Sequence, residues 1–222
     1  MSMENQKERA TREEILQFMT TEHFTLQTAK SATVAEANGR AANFLSTVSS
    51  AVVALAFVGQ VSELGGAFLL FGLVLFPSLL FLGFVTFERA IQTAIENMIH
   101  SRGINRIRHY YVETAPEIGR YFIHSTHDDV AGAVQNMGII PEESWWQHLV
   151  TNAGMVAVVN SVLAGVFAGM LTRFTTSLHV YAAAGLGFAA FAASVVAHHR
   201  YQLKRYVEFE GRLKTLFPSD SN

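Results

Sequence analysis

Charge disappears from this chain in four long stretches. No Asp, Glu, Lys or Arg occurs between Arg40 and Glu63, between Glu63 and Glu88, between Glu143 and Arg173, or between Arg173 and Arg200. A helix rises ~1.5 Å per residue and a bilayer's hydrocarbon core is ~30 Å thick, so a span needs about 20 apolar residues. Ala41–Ser62, Leu64–Phe87, His148–Leu171 and Thr175–Ala197 all meet that length. Lipid offers no partner to a bare backbone group, so each run is expected to be a helix. Of 222 residues half are hydrophobic and only 15% charged, where an ordinary soluble domain carries roughly 25% charge. This pattern excludes a soluble globular enzyme, and it excludes disorder, which needs low hydrophobicity and high charge. A net charge of −2 supplies no global field for nucleic acid, so a basic site has to be local. The absence of cysteine removes disulfides, thiolate metal sites and a catalytic thiol.

Basic residues orient the spans. Lys7, Arg9, Arg12, Lys30 and Arg40 precede span 1, Arg89, Arg102, Arg106, Arg108 and Arg120 follow span 2, and Arg200, Lys204, Arg205, Arg212 and Lys214 follow span 4. Only Arg173, between spans 3 and 4, falls on the other side. The expected protein is all-α and integral to the membrane, multi-pass, with both termini cytoplasmic; in a bacterium this is the inner membrane. The layout reads as a cytoplasmic N-terminal helix (1–40), a transmembrane hairpin (41–87), a cytoplasmic helical segment (88–147), a second hairpin (148–197) and a cytoplasmic C-terminal helix (198–222). Trp145 and Trp146 suit the aromatic belt ahead of span 3. The first run lies behind a mixed-charge leader and is followed at once by a second, unlike a cleaved signal peptide.

Glu13 to Asn38 is helix-prone, with an imperfect apolar face of Ile15, Leu16, Phe18, Met19, Phe24 and Leu26. Pro77 is expected to kink span 2. The helix should continue past Glu88, with Gly103 a possible break, before Pro116, Gly119, Gly132, Gly138 and Pro141 punctuate a looser stretch. Span 4 should run into a charged helix, His198 to Phe217, ended by Pro218. A faint internal repeat sets Ser50–Gly59 on Asn160–Gly169, matching Val52 with Val162, Ala54 with Ala164, Phe57 with Phe167 and Gly59 with Gly169.

Three groups of residues carry chemistry. Span 1 places Asn43, Thr47 and Ser50 on one face, with Ser46 and Ser49 beside them, and span 3 places Asn152 and Asn160 near one face. Polar side chains at membrane depth face protein or water. They either bond helices together or line a conduit built by several copies of the chain, and the small-residue ladder Ser161, Gly165, Gly169 fits close packing of either kind. The second group is Arg102, Arg106, Arg108, His109, Tyr110 and Tyr111. Guanidinium groups bind phosphates bidentately and aromatic rings stack bases, so this run suits a nucleotide or a single-stranded oligonucleotide. Its plainer reading is a basic patch that sets topology and touches anionic lipid. The third group, His124 to Asp129, holds two imidazoles and two carboxylates. It suits a helix N-cap by Ser125, Thr126 or Asp128 better than a metal site, whose remaining ligands have no candidates. There is no G-x-S-x-G, P-loop, G-x-G-x-x-G or HExxH motif, so neither a catalytic residue nor a cofactor is expected.

The segments TAKSATVAEANGRAANFLSTVSS (Thr28–Ser50), INRIRHYYVE (Ile104–Glu113) and YFIHSTHDD (Tyr121–Asp129) resemble a bacterial family of small four-span membrane proteins, over roughly Glu13 to Phe217. In architecture the chain is also similar to Hailong-type membrane effectors of nucleotide-signalling anti-phage defence. That likeness implies a homo-oligomeric channel or membrane-disrupting effector gated by a cytoplasmic nucleotide or oligonucleotide. Two alternatives stay open: a membrane scaffold whose cytoplasmic helices dock a partner protein, and a small enzyme using the His124–Asp129 cluster.

Overall fold

A computed structural model describes residues 10–137, 149–176 and 178–219. The expected interfacial Trp145 and Trp146, the start of span 3 at His148, and Gly138 and Pro141 lie outside the described residues. The described chain is all-α: α1 (Arg12–Val61), α2 (Gly66–Thr114), a 3-10 turn (Pro116–Tyr121), α3 (Val130–Gln135), α4 (Asn152–Thr175) and α5 (Val180–Glu210). Four of these, α1, α2, α4 and α5, are long and apolar enough to cross a membrane.

The first two helices are longer than a bilayer requires. At ~1.5 Å per residue the 50 residues of α1 reach about 75 Å, and α2 has 49 residues. The expected cytoplasmic helix and span 1 are therefore one uninterrupted element. A capping box starts it: Glu14 N–H donates to Thr11 Oγ1 at 3.3 Å, while Thr11 N–H donates to the Glu14 carboxylate at 2.7 Å. The helix α2 passes through Pro77 and also through Gly103, where a break was expected. Gly103 is there for proximity, since a Cβ on it would lie 2.9 Å from Leu26 Cδ1.

The chain divides into two compact units. Unit one comprises Met1–Ala32, Glu96–Pro141 and Thr215–Asn222, and unit two comprises Thr33–Ile95 and Glu142–Lys214.

In unit two the apolar core gathers Ala41, Phe44, Phe76, Phe87, Ile91, Val156 and Leu163. The glycine ladder of span 3 is used inside the chain. A Cβ on Gly165 would meet Gly187 O at 2.8 Å, and one on Gly187 would meet Gly165 O at 2.7 Å. Backbone thus lies against backbone, and in lipid such close packing supplies the cohesion that hydrophobicity cannot. Ser161 Oγ adds a bond to Ser194 Oγ at 2.9 Å. Gly59, aligned with Gly169 in the internal repeat, packs against Leu64 and Phe68 of its own hairpin. The turns differ from expectation at two points: Leu64, placed at the start of span 2, lies in the turn before α2 begins at Gly66, and Thr175 lies in α4. Thr175, placed at the start of span 4, is the last residue of α4, because Thr176 N–H bonds Thr172 O and Arg173 reaches over to donate to Leu178 O at 2.6 Å. The other turn holds Glu63 and Leu64 at φ 49 and 58, the left-handed region.

At the charged end of unit two's helices, Glu36 accepts from Arg40 at 2.8 Å and from Arg89 at 2.9 and 3.0 Å. The Arg89 bonds, then those of Arg40, hold the Glu36 carboxyl down at about 2. Glu88 accepts from the Tyr201 hydroxyl at 2.9 Å and from Arg205 at 3.1 Å.

The tail corrects the sequence reading, with α5 ending in unit two and residues 215–219 belonging to unit one. The helix α5 ends at Glu210 with Gly211 at its C-cap, not at Pro218. Residues 215–219 are irregular because two carboxylates take their N–H groups. Asp128 accepts from Leu216 N–H at 3.1 Å and Phe217 N–H at 2.7 Å, Asp129 accepts from Ser219 N–H at 2.7 Å, and Asp128 N–H donates back to Phe217 O at 3.1 Å.

Candidate functional site

Span 1 presents two faces. Ala41, Phe44 and Ala51 are buried in unit two, whereas Asn43, Ser46, Thr47, Ser49 and Ser50 are exposed. Thr47 Oγ1 and Ser49 Oγ bond back to the carbonyls of Asn43 and Leu45, at 2.9 and 2.8 Å. The polar face therefore points away from its own bundle, on a helix long and apolar enough to cross a membrane. The two asparagines of span 3, expected on the same path, take another place. Asn152 donates to Asn38 Oδ1 at 2.8 Å. Asn160 is 4% exposed and sits against Gly83 and Phe44, with its amide 3.4 Å from His198 Nε2. Both bond between helices of unit two; Asn160 is turned inward, whereas Asn152 stays partly exposed.

The arginine cluster of α2 is split by its own helix. One side faces the His124–Asp129 segment. Asn105, fully buried, donates to His127 O at 2.7 Å and accepts from Asn136 Nδ2 at 2.6 Å. Arg106 Nε donates to Asp128 Oδ2 at 2.6 Å, and Asp128 has 0% exposure. Burial pushes the Asp128 carboxyl up, but the Phe217 N–H, Arg106 and the Leu216 N–H outweigh it and hold the group below its ordinary value. Two motifs that lie apart in the sequence, INRIRHYY and HSTHDD, are thus one structural joint. His109 also belongs to this side, its ring stacked on Phe217 with centroids 3.9 Å apart. Arg102 is 2% exposed. The helix N-cap is Asp129, not Ser125, Thr126 or Asp128: it accepts from Gly132 N–H at 2.8 Å. With Asp128 committed to Arg106 and the 215–219 backbone, the next residue falls at the cap position. Among the described residues no three His, Asp or Glu side chains converge as metal ligands.

The other side of α2 carries Arg108 and Tyr111, and it faces α1. His23 stacks on Tyr111, with ring centroids 6.2 Å apart and planes at 27°. His23 Nε2 lies 2.8 Å from Gln27 Nε2, and Arg108 donates to Asn105 Oδ1 at 3.2 Å. Burial, and after it the charge of Arg108, lowers the pKa of both His23 and Lys30. Tyr110 contributes only an edge contact with Tyr111. His23, Gln27 and Lys30 recur at i, i+4, i+7, one helix face, and that spacing was readable in the sequence. Their meeting with Arg108 was not.

Unit two also holds an apolar groove of about 830 Å³ between the start of α2, α4 and α5, lined by Leu64, Phe68, Val166, Met170 and Phe188. Arg173 is its only charged lining residue. It offers packing surface for hydrocarbon and no reacting group.

Comparison of the chain with protein-family models, with curated proteins and with solved structures finds no match in any of the three.

Proposed function

We propose that this protein is a homo-oligomeric membrane channel, or an effector that permeabilises the membrane, gated by a phosphate-bearing cytoplasmic ligand of the nucleotide or single-stranded oligonucleotide class. One observation carries the reading: the exposed row of Asn43, Ser46, Thr47 and Ser50 on a helix long and apolar enough to span a membrane. Facing lipid, an amide and free hydroxyl capacity lie unsatisfied in hydrocarbon. Assembly of several copies turns the same row toward a shared axis, where water satisfies it. The wall so formed is neutral and hydrogen-bonding, with a basic mouth, which suits anions. The ligand class comes from the basic and aromatic residues of α2, and the anti-phage role is the one implied by the likeness to Hailong-type effectors.

The test is ion flux from proteoliposomes, compared between wild type and the Thr47→Leu, Ser50→Leu double variant. The expected outcome is a large loss of flux with the particle size in detergent unchanged. Equal flux, or dissociation of the oligomer by these two changes, overturns the conduit.

A further inference from the structure

We propose that His23 and Lys30 of α1, with Arg108 of α2, form a phosphate-binding site in unit one, roofed on one side by the Tyr111 ring. It gives the ligand of the proposed channel a location, and it rests on that reading for the consequence of binding, not for binding itself.

The charges come first. His23 and Lys30 share one face of α1, and Arg108 lies with Tyr111 on the side of α2 that His23 meets; none of the three forms an ion pair with a carboxylate among the described residues. Several other cations of the chain are paired: Arg40 and Arg89 share Glu36, Arg205 has Glu88, and Arg106 has Asp128. Partly buried like charges repel, because the low-dielectric surroundings screen them less than water does. Such an arrangement is unfavourable in the free protein and becomes favourable when an anion enters it.

The second observation is a donor without an acceptor. Gln27 Nε2 lies 2.8 Å from His23 Nε2 and donates to it, so the neutral ring carries its proton on Nδ1. That Nδ1 is buried and has no hydrogen-bond partner among the described residues. A phosphate oxygen supplies the missing acceptor. The Arg108 guanidinium, with one N–H on Asn105, keeps further donors for a bidentate contact, and the Lys30 ammonium acts as a point charge. Tyr111, stacked against His23 at 27°, offers its other face as the flat surface on which a base can lie.

The shared chemistry is a phosphate group, from either a soluble polyphosphate ligand or a lipid headgroup. The experiment uses the full-length protein in neutral detergent, with inorganic pyrophosphate as the probe, followed by equilibrium dialysis and thermal unfolding. Pyrophosphate should bind, more weakly as salt rises, and raise the unfolding temperature. Lys30→Gln and Arg108→Gln should each weaken it by about ten- to a hundredfold, the range expected for a charged hydrogen bond of roughly 1.5–3 kcal/mol. Arg108→Lys should recover part of the loss, and Arg212→Gln, outside the cluster, should change nothing. Without pyrophosphate, Lys30→Gln should be as stable as wild type or more so, since a repulsion has gone. A marked loss of stability in that variant instead shows a cation serving the fold and overturns the site, as does absent or unaltered binding. Nanodiscs separate the two sources: equal binding with neutral and with anionic lipid supports a soluble ligand, and loss of binding only with anionic lipid supports a headgroup in the same site. Binding that persists while flux ignores pyrophosphate supports the site and rejects the gate.

Discussion

In unit two α4 and α5 meet where Gly165 and Gly187 bring one backbone against the other, and few polar bonds cross the contact. In unit one a polar joint ties α2 to its neighbours beside its apolar contacts, through Asn105 on His127 O and Arg106 on Asp128, with the two aspartates holding the 215–219 backbone. The difference fits the two solvents that a chain with four helices long and apolar enough to cross a membrane is expected to meet. In hydrocarbon there is no hydrophobic force between helices, so cohesion comes from close approach and dispersion. In water a buried polar joint is tolerable only when each member is satisfied, and then it selects one arrangement. The α4–α5 contact uses glycine for adhesion, and the joint at Asp128 uses carboxylates.

The contrast breaks most readily at Asp128. Asp128→Ala leaves Arg106 and the N–H groups of Leu216 and Phe217 without their acceptor in a fully buried spot. Removing one partner of such a network costs about 3 kcal/mol. Denaturant unfolding of the purified protein measures it, and amide hydrogen exchange at Leu216 and Phe217 should rise well above that of α4. If exchange rises equally in both units, the polar joint has no local role.

Second comes the glycine contact. Gly187→Ala puts a Cβ 2.7 Å from Gly165 O, a backbone atom that cannot swing away. Overpacking of this kind costs about 1–3 kcal/mol. Gly185→Ala, two residues away with nothing within 4 Å of its Cβ, is the matched control. It should be neutral or stabilising by up to ~1 kcal/mol through helix propensity. Thermal unfolding in one detergent compares them, and equal effects would remove the claim that these backbones touch.

Sequence reasoning reached these two regions unequally. The spans were legible because loss of charge over 20 or more residues has few explanations, and the exposed row on span 1 followed from spacing alone. The ladder Ser161, Gly165, Gly169 was legible as a contact, but its partner was not: nothing local says that Gly187 of the same chain fills it. In unit one the arginines were visible and their division was not. Whether Arg106 or Arg108 is available depends on Asp128 and Lys30, brought in from other segments by folding. Asp129 at the N-cap and Gly211 at the end of α5 were missed for one reason: Asp128 and the 215–219 backbone take each other's hydrogen bonds.

Acid sharpens the comparison from a third direction, with a smaller effect. Asp128 and Asp129 lie below their ordinary carboxylate values, and Glu36 is held at about 2. A depressed carboxyl stabilises the fold fully above its unfolded pKa and loses that contribution as pH falls through the folded value. Stability should therefore be flat above about pH 4.5, the ordinary value for Glu36, and decline from there toward about pH 2. Asp128→Asn should make the decline shallower, because one proton uptake disappears. An unchanged slope in that variant would show that Asp128 does not titrate in this window.

The smallest effect tests a turn of unit two in the left-handed backbone region. Glu63 and Leu64, joining α1 to α2, both have positive φ, where a side chain costs roughly 1–2 kcal/mol and glycine does not. Glycine also loses more freedom on folding, about 0.5–1 kcal/mol, so the gain is a difference of two similar terms. At Glu63 the strain term should win. Glu63→Gly is expected to stabilise by roughly 0.5 kcal/mol, a rise in Tm of about 1–2 °C for a chain of this size. Leu64→Gly relieves the same strain but removes the side chain that lies against Gly59 and lines the groove at the start of α2. Leu64 is 68% exposed, so it forfeits only about a third of the roughly 1.5–3 kcal/mol that full burial of a leucine is worth, and the lost contact nearly cancels the relieved strain. Leu64→Gly should therefore stabilise less than Glu63→Gly, and the gap between the two variants reads the Leu64 contact. If both changes stabilise equally, Leu64 contributes nothing by contact, and the turn is held by its backbone bonds alone.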